Sequence, residues 1–236
     1  MRALVLTNAA HEGPGLLAEW LPEEGLALDV VPLWSGAAVP ASLDEADALV
    51  VMGGPQQAYD DGSAPWLADV KELLRLAVAQ RVPTLAVCLG SQLLAEALGG
   101  RVEPGEKGPE LGARLVGKRD SAGNDPLCWD LPLSPLVVQW HWDAVTALPP
   151  SSTLLMAGTA YEHQAFRVGD RAWGLQFHVE CDEALVRAWA EEDRADLEAH
   201  GVDVDALADR AVASLPEVHE VWGEVARRFA RLALER

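Results

Sequence analysis

Short apolar runs alternate with amphipathic stretches through the first half of the chain, and this alternation limits the fold more tightly than any other feature. Ala3–Leu6, Leu28–Leu33 and Ala48–Met52 are compact apolar runs closed by turn residues, the pattern of strands buried on both faces of a sheet. Gly15–Glu24 carries Leu16, Leu17, Trp20 and Leu21 at helical spacing. Trp66, Leu67, Val70, Leu73, Leu74 and Ala77 recur every third or fourth residue, which predicts a helix over Pro65–Gln80 with one apolar stripe. Val82–Val87 follows as another strand. This strand-helix order predicts an α/β fold: a doubly wound, mostly parallel, flavodoxin- or Rossmann-like sheet with helices on both faces. Ligands of such sheets bind beyond the carboxyl ends of the strands.

Composition narrows the function classes. A chain of 236 residues, 50% of them hydrophobic, buries a substantial core. Asp and Glu number 37 against 18 Lys and Arg, a formal charge of −19 that repels phosphate backbones and anionic membrane surfaces, so neither nucleic acid nor membrane is expected as a partner. Three irregularly spaced cysteines make no disulfide framework, and the opening MRALVLTNAAHEG has too short an apolar stretch for a signal peptide. A cytoplasmic location is the expectation. Acids, prolines or glycines interrupt every hydrophobic segment before it reaches the length of a bilayer span.

The strand ends hold the unusual residues. Val50-Val51-Met52 runs into Gly53-Gly54-Pro55, and Leu85-Ala86-Val87 runs into Cys88-Leu89-Gly90, within the stretch AVCLGSQ. Free cysteines are among the most buried residue types, so Cys88 reads in one way as packing. It reads in another as a nucleophile lifted out of the sheet at a helix N-terminus, where unpaired N–H groups and the helix dipole stabilise a thiolate. Gly90 suits such a sharp turn because a side chain there would crowd the elbow. A thiol nucleophile needs a base and an orienting group. Ala172–Phe177 is a short apolar run ending in His178-Val179-Glu180; on a strand, His178 and Glu180 would share a face and the carboxylate would hold one imidazole nitrogen. A chance surface pair is the competing reading.

Taken together, VCLGSQ after a strand, GGP at an earlier strand end and GLQFHVE in the C-terminal third resemble, in order and separation, the signature set of class I glutamine amidotransferases, over residues 1 to about 190. The resemblance implies Cys88 as nucleophile, His178 as general base and acid, and Glu180 as the group that orients it. It implies backbone N–H groups of Gly54 and Leu89 as the oxyanion hole, Gln92 as a contact to the glutamine substrate, and His141 and Trp142, in the segment Trp140-His141-Trp142-Asp143, as part of a loop lining the pocket. The implied reaction is hydrolysis of the glutamine side-chain amide through a γ-glutamyl thioester, giving glutamate and ammonia. No cofactor and no metal is expected; Cys181 beside His178 lacks the further ligands a zinc site needs. The chain has no glycine-rich nucleotide loop and too little remaining length for a synthase, so acceptor chemistry is assigned to a separate synthase or acceptor subunit.

The chain departs from the family pattern at two places. Val179 stands where many members have proline, which leads to the expectation of a looser loop. Gln56-Gln57-Ala58-Tyr59 lacks a serine often found after the paired glycines. CLGSQLLAEALGG with Glu110-Leu111-Gly112 resembles stand-alone members similar to the amidotransferase domain of GMP synthase, and some plant relatives hydrolyse γ-glutamyl peptides instead. Three functions therefore compete: a glutaminase that delivers ammonia, a γ-glutamyl peptide hydrolase, and a non-catalytic binding or redox-sensing module of the same fold. Residues 1–200 are assigned to the amidotransferase domain and 201–236 to a helical extension packed on it. Within the extension and the stretch before it, Asp182–His200 reads as one acidic helix, Gly201 breaks it, and Pro216 separates two further helices. Cys128 reads as half-buried packing, and His163 as a structural or solvent-facing residue on a strand.

Overall fold

The computed structural model describes residues 1–235. Its first half is built from β1 (Arg2–Thr7), α1 (Leu17–Glu23), β2 (Ala27–Pro32), β3 (Ala48–Val51), α2 (Trp66–Gln80), β4 (Thr84–Val87) and α3 (Leu89–Ala97). There follow β5 (Arg101–Pro104), β6 (Glu110–Leu115), β7 (Gly117–Lys118), β8 (Leu136–His141), β9 (Asp143–Ala147), β10 (Ser152–Ala157), β11 (Ala165–Val168) and β12 (Ala172–Leu175). Three helices close the chain: α4 (Glu183–Glu192), α5 (Arg194–Ala199) and α6 (Val204–Leu234). The central sheet has eight strands in the order β2-β1-β3-β4-β12-β11-β10-β7. Pairing is parallel from β2 through β12 and antiparallel from β12 to β7. Two small antiparallel pairs, β5 with β9 and β6 with β8, flank it.

Alternation along the buried strands divides the interior in two. Ala3, Val5, Val50, Leu85 and Val87 point into one core, with Leu17, Leu21 and the apolar stripe of α6. Leu4, Leu6, Leu49, Val51 and Ala86 point into the other, with Leu67, Leu74, Leu93 and Leu94 of α2 and α3. Helices thus cover both faces of the parallel half, as its near-continuous apolar strands require.

Several sequence expectations need correction. The run at Leu28–Leu33 is not buried on both faces: β2 pairs only with β1 at the sheet edge, and Asp29 and Val30 are exposed. The segment from Trp140 to Asp143 is not a loop but the end of β8 and the start of β9, with only Trp142 between them. His163 lies ahead of β11 rather than on a strand, its Nδ1 2.8 Å from the Val145 carbonyl. Cys128 is fully buried rather than half-buried. The acidic stretch breaks at Asp193 into α4 and α5, and Pro216 lies inside the single helix α6.

A proline in a helix interior removes one backbone hydrogen bond at a cost of about 3 kcal/mol. Here Leu207, Ala211, Leu215, Val218, Trp222, Val225 and Phe229 keep one buried stripe across Pro216. Packing of that stripe outweighs the lost bond and keeps the helix continuous through Pro216. Trp222 is its anchor: its Nε1–H donates to the Leu136 carbonyl at 2.9 Å and its ring lies 4.8 Å from that of Phe177. Phe177 immediately precedes His178, so α6 supports the segment that carries the histidine. Trp222→Ala is expected to cost about 3–5 kcal/mol, read as a lowered midpoint of chemical denaturation, whereas Trp222→Phe retains most of the stability.

Candidate active site

The candidate site forms where β4 gives way to α3. Cys88 occupies that junction with φ 50° and ψ −110°, a region that residues other than glycine rarely enter. Its N–H donates to the Leu175 carbonyl of β12 at 2.8 Å, and α3 begins at the next residue. The turn is possible because Gly90 presses directly on the Val51 carbonyl of β3; a Cβ at residue 90 would overlap that oxygen. Leu89 is the first residue of α3, so its N–H has no intrahelical acceptor. Neither the Leu89 nor the Gly54 N–H meets an acceptor among the described residues, and the two residues are neighbours: a Cβ on Gly54 would stand 2.9 Å from Leu89 Cδ2.

His178 and Glu180 reach the same place from β12. Neither lies on that strand, which ends at Leu175; His178 instead makes an isolated bridge to β8, its N–H donating to the Val138 carbonyl at 2.8 Å. Its Nδ1 lies 2.8 Å from Glu180 Oε1, and Cys88 acts on it electrostatically. Burial opposes charging of His178, but Glu180 and Cys88 more than offset this and hold its pKa well above the ordinary imidazole value. The second oxygen of Glu180 accepts from the Val179 N–H at 2.9 Å. Valine at this position thus supplies a tie to Glu180 that a proline, lacking an N–H, could not make.

An open cavity of about 270 Å³ lies in front of Cys88 and His178. Gly54 and Gln92 line it, and Trp142 stands 37% exposed at its rim. Gln92 donates to the Asp143 carbonyl at 3.1 Å and to Gln176 at 3.3 Å, while its Oε1 has no donor among the described residues and remains free for a ligand. His141 lies in the cavity wall: its Nδ1 is 2.8 Å from the Asp143 carbonyl, and its Nε2 is buried without a hydrogen bond, 3.4 Å from Glu110 Oε2. The structure thus brings together all eight residues singled out from the sequence, with His141 the least available to a ligand.

Three further residues of the site carry no distinctive sequence signal. Trp189 of α4 packs its ring 4.4 Å from His178 and stacks on Trp140. Gln176 approaches the Cys88 Sγ at 3.9 Å. Glu12, in the segment after β1, lines the cavity. The rule that ligands gather beyond strand carboxyl ends points to the Glu12 segment, but nothing in its residues distinguishes it. The remaining cysteines are unsuited to nucleophilic chemistry, since burial pushes the Cys128 and Cys181 thiols well above their ordinary pKa.

The profile of the glutamine amidotransferase class-I family matches residues 15–185. The chain belongs to this family. It is similar to the glutamine amidotransferase-like protein YfeJ of Salmonella typhimurium, 29% identical over 92% of this chain and 89% of that one. It is 37% identical to a subunit of the glutamine-hydrolyzing GMP synthase of Halobacterium salinarum over 64% of this chain and 74% of that one. Similarity to Gamma-glutamyl peptidase 3 of Arabidopsis thaliana is 27% and spans 58% of the plant protein. The crystal structure of a glutamine amidotransferase from Thermotoga maritima superposes with a TM-score of 0.87 over 98% of both chains, at 28% identity. Among the described residues, no helix of this amidotransferase is long and apolar enough to cross a membrane.

The strained backbone gives a direct test of the elbow. Glycine ordinarily destabilises a buried position relative to alanine, but at a positive φ the order reverses. Cys88→Gly is expected to exceed Cys88→Ala in stability by about 1 kcal/mol in denaturant titrations; an Ala variant equal to or more stable than Gly would show the junction to be unstrained.

Proposed function

We propose that this amidotransferase hydrolyses the side-chain amide of glutamine, with Cys88 as nucleophile, His178 as general acid and base, and Glu180 as the group that orients it. The observation that carries the reading is the buried imidazole of His178, its Nδ1 held by Glu180 at 2.8 Å and Cys88 acting on it electrostatically. That arrangement favours transfer of the thiol proton to His178. The thiolate attacks the amide carbon of glutamine, and negative charge develops on the carbonyl oxygen, where the free N–H groups of Gly54 and Leu89 stabilise it. His178 then protonates the departing nitrogen, the C–N bond breaks, and ammonia leaves a γ-glutamyl thioester on Cys88. In the second half His178 takes a proton from water, hydroxide attacks the thioester, and the Cys88–acyl bond breaks to release glutamate.

Gln92 contacts the substrate through its free Oε1, and Trp142 closes the rim of the pocket; His141 contributes through the wall rather than through its ring nitrogens. Ammonia passes to an acceptor enzyme on a separate chain, a reading supported by similarity to one subunit of a glutamine-hydrolyzing GMP synthase. Residues 1–200 form the amidotransferase unit and residues 201–236 an extension that braces it. Similarity to a plant γ-glutamyl peptidase favours a second reading, in which the same thioester chemistry acts on a γ-glutamyl peptide.

Ammonia and glutamate should appear in equal amounts from glutamine with wild-type protein, and Cys88→Ala should abolish both; ammonia release that survives Cys88→Ala would overturn the assignment. Glu180→Gln should lower kcat by about 10²–10⁴-fold. The carboxylate raises the pKa of His178, so its removal lets the imidazolium deprotonate at lower pH. The basic limb of the pH profile of kcat/KM should move down accordingly in Glu180→Gln.

A further inference from the structure

Four carboxylates line the cavity in front of Cys88: Glu12, Asp143, Glu192 and Asp193. Three are already engaged. Asp193 accepts a hydrogen bond from Trp140 Nε1 at 2.8 Å, Glu192 lies 2.7 Å from His11 Nε2, and Asp143 interacts electrostatically with Tyr59 and His141. Glu12 has no hydrogen-bond or ion-pair partner among the described residues, although it is only 9% exposed. Its oxygens open onto the cavity, so the donors they need come from whatever fills it.

Its position indicates what that is. A Cβ at Gly53 would collide with Glu12 Oε2, and would stand 3.2 Å from His178 Cε1 and 3.6 Å from Cys88 Cβ. The Glu12 carboxyl, the imidazole and the nucleophile therefore converge on the Cα of one glycine. Glu180 and His11 are the other charged or titratable groups that act on Glu12, besides His178 and Glu192; Glu180 and Glu192 disfavour its charge, His178 and His11 favour it, and burial raises its pKa. In the reaction proposed above, the substrate oxygen faces Gly54 and Leu89, and the leaving nitrogen must face His178 to be protonated. Glu12 and His178 both approach Gly53, so a nitrogen that faces His178 would also face Glu12.

We propose that Glu12 is a specificity-determining residue for the leaving group: it accepts N–H donors of ammonia or of an uncharged or cationic amine, and it rejects a leaving amine that bears a nearby carboxylate. The inference rests on the amidase reading and deepens it, because it ranks glutamine and γ-glutamyl amides above γ-glutamyl amino acids. An anionic group a few ångströms from a partly buried carboxylate is strongly repelled, while a neutral amide of the same size is not.

γ-Glutamylglycine and γ-glutamylglycinamide have the same number of heavy atoms and differ in the carboxylate that the second replaces with a neutral, N–H-donating amide. Wild-type protein should favour the glycinamide by about tenfold or more in kcat/KM. Glu12→Gln should bring the two within about twofold of each other, and Glu12→Asp, which keeps the charge, should retain the preference. Where neither dipeptide turns over, their inhibition constants against glutamine hydrolysis give the same ratio. Equal values in wild type, or a preference unchanged in Glu12→Gln, would overturn the role of Glu12 while leaving Cys88-dependent hydrolysis intact. Absence of hydrolysis of glutamine and of both dipeptides would overturn the amidase reading itself, and the inference with it.

Discussion

The backbone at Cys88 is the constraint on which the rest of the site depends. A residue with a side chain held at φ 50° and ψ −110° costs on the order of 1–3 kcal/mol, and it persists only because its surroundings fix it from three sides. β12 accepts the Cys88 N–H, the Val51 carbonyl of β3 leaves room for nothing larger than Gly90, and the buried leucines of α3 anchor the helix that follows. β4 lies between β3 and β12 in the sheet, so the order of the parallel strands places both supports beside the nucleophile. The strain directs Sγ out of the sheet toward the cavity, while the free N–H of Leu89 remains beside it.

The second half of the site is held by contacts that cross the fold. His178 is tied to β8 through Val138, Glu180 is tied to its own neighbour Val179, and the Glu180 carbonyl accepts from Leu16 N–H at 2.9 Å. That last bond links the segment carrying Glu12 to the carboxylate that orients His178. α4 adds Trp189 against the imidazole, and Trp140 beneath it donates to Asp193 at 2.8 Å. The imidazole is thereby shielded from water, which strengthens its interaction with Glu180.

What the sequence revealed follows the range over which each signal acts. The runs at Ala3–Leu6 and Ala48–Met52, and the stripe from Trp66 to Ala77, are set by local periodicity and correspond to β1, β3 and α2. The run at Leu28–Leu33 carries the same pattern, yet its partner strand decides burial, and β2 lies at an edge. Pro216 signals a break that tertiary packing overrides. Cys88, His178 and Glu180 were legible because their residue types and order are distinctive. Glu12 was not: one glutamate among many acidic residues gains meaning only when folding brings it to Gly53 and leaves it without a donor.

The central claim is that one thiol of three forms the covalent intermediate with the γ-glutamyl group. A diazoketone analogue of glutamine, incubated with the native protein and followed by peptide mass mapping, tests it most directly. A stoichiometric adduct on Cys88, protection by glutamine, and loss of ammonia release in step with labelling are the expected result. An adduct on Cys128 or Cys181, or ammonia release that continues after Cys88 is fully modified, would contradict it.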